Sequence, residues 1–131
     1  MNASAHIVEI DESNAQQLLI EESMARPVLV DFWADWCGPC KAFAPTFEAA
    51  SEKHEDVVFG KIDTQDQQQL AGQLQIRSIP TLMVFRDQIM VFNQAGALPP
   101  AAFEDLITQV KALDMDEVRA EIAKQQGGAE A

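Results

Sequence analysis

The chain has 131 residues, of which 47% are hydrophobic, and it carries a formal net charge of −12 with an isoelectric point near 4.3. This length and apolar content predict one globular domain that buries its own core, and they exclude a largely disordered chain. The negative charge disfavours binding to nucleic acid or anionic lipid, and no apolar stretch is long enough to span a bilayer.

The first half of the chain alternates between strand patterns and helix patterns. Residues 6–10, HIVEI, alternate like a strand, and Ser13 with Gln16 has the capping-box spacing that opens a helix. The nearly continuous apolar run PVLVDFWA at 27–34 predicts a central strand that is covered on both faces. A helical pattern then runs over 39–53.

The second half continues the alternation and adds a hairpin. VVFGKID at 57–63 predicts a second central strand, and Thr64 with Gln67 repeats the capping-box spacing before a short helix. The apolar runs at 81–85 and 89–93 are separated by three polar residues, which is typical of an antiparallel hairpin.

Two helices are predicted to close the chain. Apolar residues recur with helical spacing after Pro99, and Asp114 with Glu117 marks one more helix start. The predicted order is β-α-β-α-β-α-β-β-α plus a C-terminal helix. Strands that are separated by helices pair in parallel, so this α/β order predicts a mixed sheet with helices on both faces.

Both cysteines of the chain, Cys37 and Cys40, fall within the segment WCGPC. A purely structural disulfide is disfavoured because closing so small a loop stabilises a fold by only about 2 kcal/mol. A structural zinc site is disfavoured because it needs four ligands, and only His6 and His54 could join the cysteines. Thiol–disulfide exchange is the third and favoured use.

The residues around the cysteines support that use. A strand leads into Cys37 and a helix begins just after it, so free N–H groups and a partial positive charge favour a thiolate there. Pro39 suits the first helical turn, where its missing N–H costs nothing. Cys40 lies one turn further in, where we expect a more shielded sulfur with a higher pKa. Cys37, at the exposed end, is therefore predicted to attack, and Cys40 to resolve the mixed disulfide.

The segment VDFWADWCGPCK at 30–41 resembles the active-site segment of the thioredoxin family. KID at 61–63, IRSIPT at 76–81 and AGAL at 95–98 follow in the order found in that family. The resemblance implies the thioredoxin fold over residues 1–113. Residues 114–131 are then a helical extension and loose tail of the same domain, on which the family pattern says nothing.

The resemblance also implies an activity. A thioredoxin reduces protein disulfides without a bound cofactor or metal, carries electrons on its cysteine pair, and is recharged by thioredoxin reductase with NADPH. We expect a monomer in the cytoplasm, since MNASAHIVEIDES has no basic region followed by an apolar block. The alternatives are an oxidase or isomerase on this fold, and a binding or chaperone-like module in which redox activity is incidental.

Two charged residues gain roles from the resemblance. Asp31 interrupts an apolar strand, so burial should raise its pKa. By resemblance it is the general acid/base near Cys40, acting directly or through water. Lys61 resembles the family lysine near that aspartate, although it also fits an ordinary lysine on the strand surface.

Other matching residues imply a shallow and mostly apolar surface for protein substrates around the sulfurs. The bond between Ile79 and Pro80 resembles the family's cis-proline loop, which leaves backbone groups free to pair with an extended segment. The predicted surface comprises Trp36, Gly38, Pro39, Ile79, Pro80 and Gly96.

Three residues depart from the family pattern without touching the sulfur chemistry. Gln88 replaces a common glycine in the hairpin, and a primed turn penalises glutamine, so we expect a different turn. Ser78 also stands where some relatives have glycine, and this difference bears on substrate preference. Pro99 replaces a polar helix cap.

Overall fold

The computed structural model describes the backbone of residues 6–130 and the side chains of residues 6–125. Five strands form one mixed sheet in the order β1-β3-β2-β4-β5. Strands β1 and β2 run parallel to β3, and β4 runs antiparallel to both β2 and β5, which confirms the predicted mixed sheet. The strands are β1 Ile7–Glu9, β2 Val28–Trp33, β3 Val58–Asp63, β4 Thr81–Arg86 and β5 Ile89–Ala95.

The helices follow the order that the sequence predicts. The first helical segment differs in type, because it consists of a π-helical turn, Gln17–Glu21, and a 3₁₀ turn, Glu22–Met24. The regular helices are α1 Gly38–Lys53, α2 Gln68–Gln73, α3 Pro100–Ala112 and α4 Met115–Glu130.

Each face of the sheet carries a hydrophobic core, as expected for strands that are covered on both sides. On one face, α1 and α3 bring Phe43, Phe47 and Phe103 together, with ring centroids 5.1–5.9 Å apart. The other face is covered by the first helical segment and α2, through Leu19 and Leu70. In this arrangement, a short loop connects the carboxyl end of β2 to the start of α1.

Aspartates, and not the predicted hydroxyl residues, cap two of the turns. Oδ1 of Asp11 accepts the N–H of Ser13 at 2.8 Å. Oδ1 of Asp63 accepts the N–H groups two and three residues further on, at 3.0 and 3.3 Å. Thr64 instead donates its hydroxyl to the carbonyl of Trp33 at 3.1 Å. The capping boxes predicted at Ser13 and Thr64 are therefore wrong, because a nearby carboxylate is the stronger acceptor.

The hairpin between β4 and β5 is closed by two residues in the left-handed region. Asp87 has φ 54° and Gln88 has φ 70°, which is the geometry of a primed two-residue turn. Buried Ser23 holds this turn, since its carbonyl accepts the N–H of Asp87 at 2.8 Å and its Oγ accepts the N–H of Gln88 at 3.0 Å. The expectation of a different turn is wrong, because contacts made by Ser23 offset the cost of glutamine at that position.

Replacing the left-handed glutamine should stabilise the protein. Gln88→Gly keeps the N–H that Ser23 accepts and removes a steric penalty of about 1–2 kcal/mol, while the added chain entropy offsets part of that gain. We expect the free energy of unfolding to rise by about 0.5–1 kcal/mol in urea denaturation. The control is Gln94→Gly in β5, where extended backbone gives glycine no advantage and stability should fall. A loss of stability in both variants would contradict this account of the turn.

Helix α4 is tied to the hairpin by charged groups. Nη1 of Arg86 donates to the carbonyls of Val110 and Leu113 at 2.8 and 3.0 Å, at the end of α3. Arg119 pairs with Asp87 at 2.7 Å, and Met115 is buried. The predicted cap at the start of this helix is confirmed. Oδ1 of Asp114 accepts the backbone N–H groups two and three residues further on.

Candidate active site

The two cysteines form a disulfide where β2 passes into α1, with Cα atoms 5.3 Å apart. Cys37 is the N-cap of α1 and has an extended backbone, while Gly38 and Pro39 form the exposed start of the helix. Sγ of Cys37 accepts the backbone N–H of Cys40 at 3.2 Å. The strand and the helix therefore place both sulfurs at the positive end of a 16-residue helix.

The asymmetry between the two cysteines lies in hydrogen bonding more than in exposure. Cys37 is 4% exposed and Cys40 is 3% exposed, so the predicted contrast between an exposed and a shielded residue does not distinguish them. The sulfur of Cys37 accepts a backbone N–H at the helix N-terminus. Such an amide stabilises negative charge on that sulfur once the disulfide is reduced.

Asp31 lies in the middle of β2 with its side chain buried. The residue is 1% exposed, and neither carboxylate oxygen has a hydrogen-bond partner in the described part of the chain. Burial raises its pKa to about 7, and the opposing charge of Lys61 reduces that shift. The predicted burial of this aspartate is confirmed.

Strand alternation places this carboxylate beneath the active-site helix. Side chains two positions apart share a face of a sheet, so Asp31 points to the same side as Leu29. That side carries the core that includes Phe43 and Phe47 of α1. The first turn of α1 holds Cys40, so Asp31 and the disulfide lie at the same end of the same layer.

Lys61 is the register neighbour of Asp31 on β3, but the two do not form an ion pair within 4.0 Å. Its ammonium nitrogen instead lies 5.2 Å from the centroid of the Trp33 ring. Nε1 of Trp33 is buried and, among residues 6–125, has no hydrogen-bond partner. The site therefore combines a buried carboxyl group, that of Asp31, with the Lys61 ammonium group, whose charge lowers the pKa of that carboxyl group.

A groove of about 530 Å³ is lined by Trp36, the residue that precedes Cys37, although neither cysteine lines it. Trp36, which is 70% exposed, lies on its wall together with Ile79. The Ile79–Pro80 peptide bond is cis, as the sequence resemblance implies. The carbonyl of Pro80, just before β4, accepts the N–H of Gly96, just after β5, at 2.8 Å, which brings those two predicted residues together.

Sequence reasoning missed the wall of the groove that α2 supplies. Gln68, Ala71 and Gly72 of α2 line it, together with Thr64 just after β3 and Arg77 from the loop that leads to the cis bond. The capping pattern predicted the approximate position of α2, but nothing in the sequence of α2 indicated which of its faces lies on the groove with Trp36. Arg77 did carry a signal, since it lies within the segment that resembles the family loop.

Two further features bear on the kind of site this is. Across residues 6–130, no helix is both long enough and apolar enough to cross a membrane. Among residues 6–125, whose side chains the structure describes, no group of three His, Cys, Asp or Glu side chains could hold a metal ion.

Comparisons with known proteins give a consistent result. A sequence model of thioredoxin matches residues 6–109. A Streptomyces coelicolor protein named thioredoxin 2 is 52% identical over 122 residues, which cover 93% of this chain and 89% of the relative. Thioredoxin 1 of Synechococcus elongatus is 42% identical over 91 residues, or 69% of this chain and 83% of the relative. The solved structure of a mutant thioredoxin from Halobacterium salinarum has a TM-score of 0.74 at 30% identity and covers 87% of this chain and 98% of that one.

The Streptomyces match extends beyond the part of the chain that the family pattern describes. A match of 122 residues within a chain of 131 must include residues 10–122, so it reaches well into α4. The family pattern ends at residue 109, before α3 is complete. The first half of α4 therefore lies within the segment that aligns with this relative.

Proposed function

The chain belongs to the thioredoxin family, whose members are oxidoreductases that reduce protein disulfides through a dithiol, and from this we propose that Cys37 is the attacking thiol and Cys40 the resolving thiol. One observation supports this division most directly. Sγ of Cys37 accepts a backbone N–H at the N-terminus of α1, and that contact favours its thiolate form.

The proposed reaction has two exchange steps. The Cys37 thiolate attacks one sulfur of the substrate disulfide, which forms a mixed disulfide and releases the other substrate sulfur as a thiolate that takes up a proton. Cys40 then loses its proton, and its sulfur attacks Sγ of Cys37. The Cys37–Cys40 disulfide forms, the second substrate thiolate leaves, and the substrate has gained two electrons and two protons in all.

Asp31 is proposed to take the proton of Cys40. A base works best when its pKa lies near the operating pH, and burial brings the pKa of Asp31 to about 7. Lys61 is proposed to support this transfer, because a nearby cation stabilises the ionised carboxylate. The position of the aspartate beneath α1 supports both roles.

The substrate is proposed to bind as an extended protein segment across the apolar surface around the sulfurs. Exposed Trp36 and half-buried Ile79 supply the groove wall, and Ile79 offers backbone groups for strand-like pairing. Exposed Gly38, Pro39 and Gly96 are proposed to complete the surface, and Pro80, which the sequence placed on it, is buried next to Ile79.

We propose that the oxidised protein is recharged by thioredoxin reductase with electrons from NADPH and that it carries those electrons in the cytoplasm as a monomer without a bound cofactor. Family membership supports this assignment, and two cysteines that already pair with each other need no prosthetic group to store two electrons.

Coupled turnover tests this proposal. With thioredoxin reductase, NADPH and insulin, the chain should sustain NADPH consumption that requires all four components. The control replaces reductase and NADPH with dithiothreitol, which recharges any accessible disulfide directly. If the chain reduces insulin with dithiothreitol but not with reductase and NADPH, the proposal that thioredoxin reductase recharges it is wrong, and the proposal of disulfide reduction stands. Failure in both assays would favour a binding module over a reductase.

A further inference from the structure

Most basic side chains of this acidic protein already have partners. Of the nine lysines and arginines, four form ion pairs, one donates to helix carbonyls and one lies over a tryptophan ring. These six are Arg26, Lys53, Lys61, Arg86, Lys111 and Arg119. Within residues 6–125, the side chains of Lys41, Arg77 and Lys124 form no hydrogen bond or ion pair.

Arg77 is the one of these three that lines the groove next to the active-site segment. It is exposed, and it shares the groove wall with Trp36 and Ile79. Every other residue lining the groove is neutral, and none is a carboxylate. An unpaired guanidinium in a largely apolar groove has its fork of donors available to an incoming group.

We propose that Arg77 determines specificity, selecting substrate segments that carry an aspartate or glutamate side chain close to the cysteine under attack. A carboxylate is the side chain that can accept two parallel N–H bonds from guanidinium. This inference rests on the proposed reduction of protein disulfides, and it adds the substrate class.

The position of the selected residue follows from the extended geometry. In an extended segment, side chains two positions apart point to the same side, with a rise of about 3.3 Å per residue. Arg77 precedes Ile79 by two positions. We therefore propose that an acid two positions from the target cysteine, on the same side of an extended substrate segment, reaches Arg77 on the groove wall that includes Trp36.

The negative net charge of the protein opposes the attraction of Arg77 for an acidic substrate, and it acts over longer distances. A charge of −12 repels acidic substrates, but that repulsion is screened beyond about 8 Å at physiological ionic strength. The contact with Arg77 is shorter than this distance and survives screening. Discrimination should therefore be set by the position of the acid next to the target cysteine and not by the total charge of the substrate.

The test uses peptides in which one cysteine is linked by a disulfide to a small neutral thiol. Glutamate, glutamine or lysine is placed two residues before or two residues after that cysteine. We measure the rate constant for reduction by the pre-reduced protein at physiological ionic strength. In one of the two placements, the glutamate peptide should react about 3–10-fold faster than the glutamine peptide, the range for one charge-assisted contact in a partly exposed site.

Two variants of equal net charge separate the groove from the long-range field. Arg77→Gln should bring the ratio of glutamate to glutamine rates down to about one or below, since it leaves only the repulsion. Lys41→Gln removes an exposed cation outside the groove and should leave the ratio as in the parent protein.

Each adverse result has a distinct meaning. If the parent protein reduces the glutamine and glutamate peptides equally fast in both placements, the inference about Arg77 is overturned and disulfide reduction stands. If Lys41→Gln lowers the ratio as much as Arg77→Gln, the preference comes from the overall field and the inference is again overturned. If the parent protein reduces none of the peptides, the proposed function itself fails.

Discussion

Cys37→Ser loses disulfide reduction, whereas Cys40→Ser attacks its substrate once and stops at the mixed disulfide. Serine at position 37 cannot supply a thiolate, so the rate should fall by at least about 10³-fold, as for the loss of other catalytic nucleophiles. Serine at position 40 leaves the attack intact but removes the thiol that would release the substrate. The two variants differ at positions that are almost equally buried, so access to solvent cannot account for the expected contrast.

Mass spectrometry of each variant after incubation with a disulfide-bonded substrate measures the trapped species. A covalent adduct should accumulate with Cys40→Ser and be absent with Cys37→Ser, and the double variant should trap nothing. Equal trapping by both single variants would mean that the hydrogen bond at Sγ of Cys37 does not decide which sulfur attacks.

Asp31→Asn stabilises the protein at neutral pH and slows its reaction. The folded-state pKa of Asp31, about 7, lies above the ordinary value of 3.8 that applies to the unfolded chain. Between these two values the unfolded state loses its proton first, so stability falls as the pH rises, by about 1.4 kcal/mol per pH unit. The total is about 4 kcal/mol above pH 7. Asparagine does not ionise and so lacks this dependence.

Urea denaturation at pH 4 and at pH 8 measures the effect as a difference between the parent protein and the variant. The gain from Asp31→Asn should be larger at pH 8 by about 4 kcal/mol, whatever constant cost the buried amide adds. Asp66→Asn, which removes one carboxylate at an exposed position, is the matched control. A flat difference for Asp31→Asn would show that the carboxyl group titrates normally in the folded state. The variant should also resolve mixed disulfides more slowly, since it cannot take the proton of Cys40.

The sequence predicts the order of elements well because that order depends on hydrophobic period. Continuous apolar runs mark β2 and β3, and helical stripes mark α1 and α3, so the mixed sheet follows from topology rules alone. The capping assignments at Ser13 and Thr64 fail because nearby aspartates compete for the same N–H groups, and spacing rules do not weigh that competition.

Details that depend on contacts between distant segments are not visible in the sequence. The primed turn at Asp87 and Gln88 is held by Ser23, which lies more than sixty residues earlier in the chain. Local preference alone argues against glutamine there. The cis bond at Pro80 is predicted only by resemblance, since the local sequence favours the trans form of most X-Pro bonds.

The site shows the same division between local and long-range information. The burial of Asp31 is visible in the apolar run around it. The location of Lys61 over the Trp33 ring and the groove wall supplied by α2 depend on how separate strands and helices meet.

The place of β5 at the edge of the sheet has a consequence for solubility. Its seven residues, IMVFNQA, carry no charge, Met90 is nearly half exposed, and no strand in the described part of the chain pairs with its outer side. Such an edge is a template for strand pairing between molecules, and here the mutual repulsion of highly charged copies opposes it. That repulsion vanishes near pH 4.3, where the folded-state Asp31 is still neutral and costs little to bury. An acidity at which this carboxyl group opposes folding only slightly is therefore the acidity at which folded molecules are most prone to precipitate together.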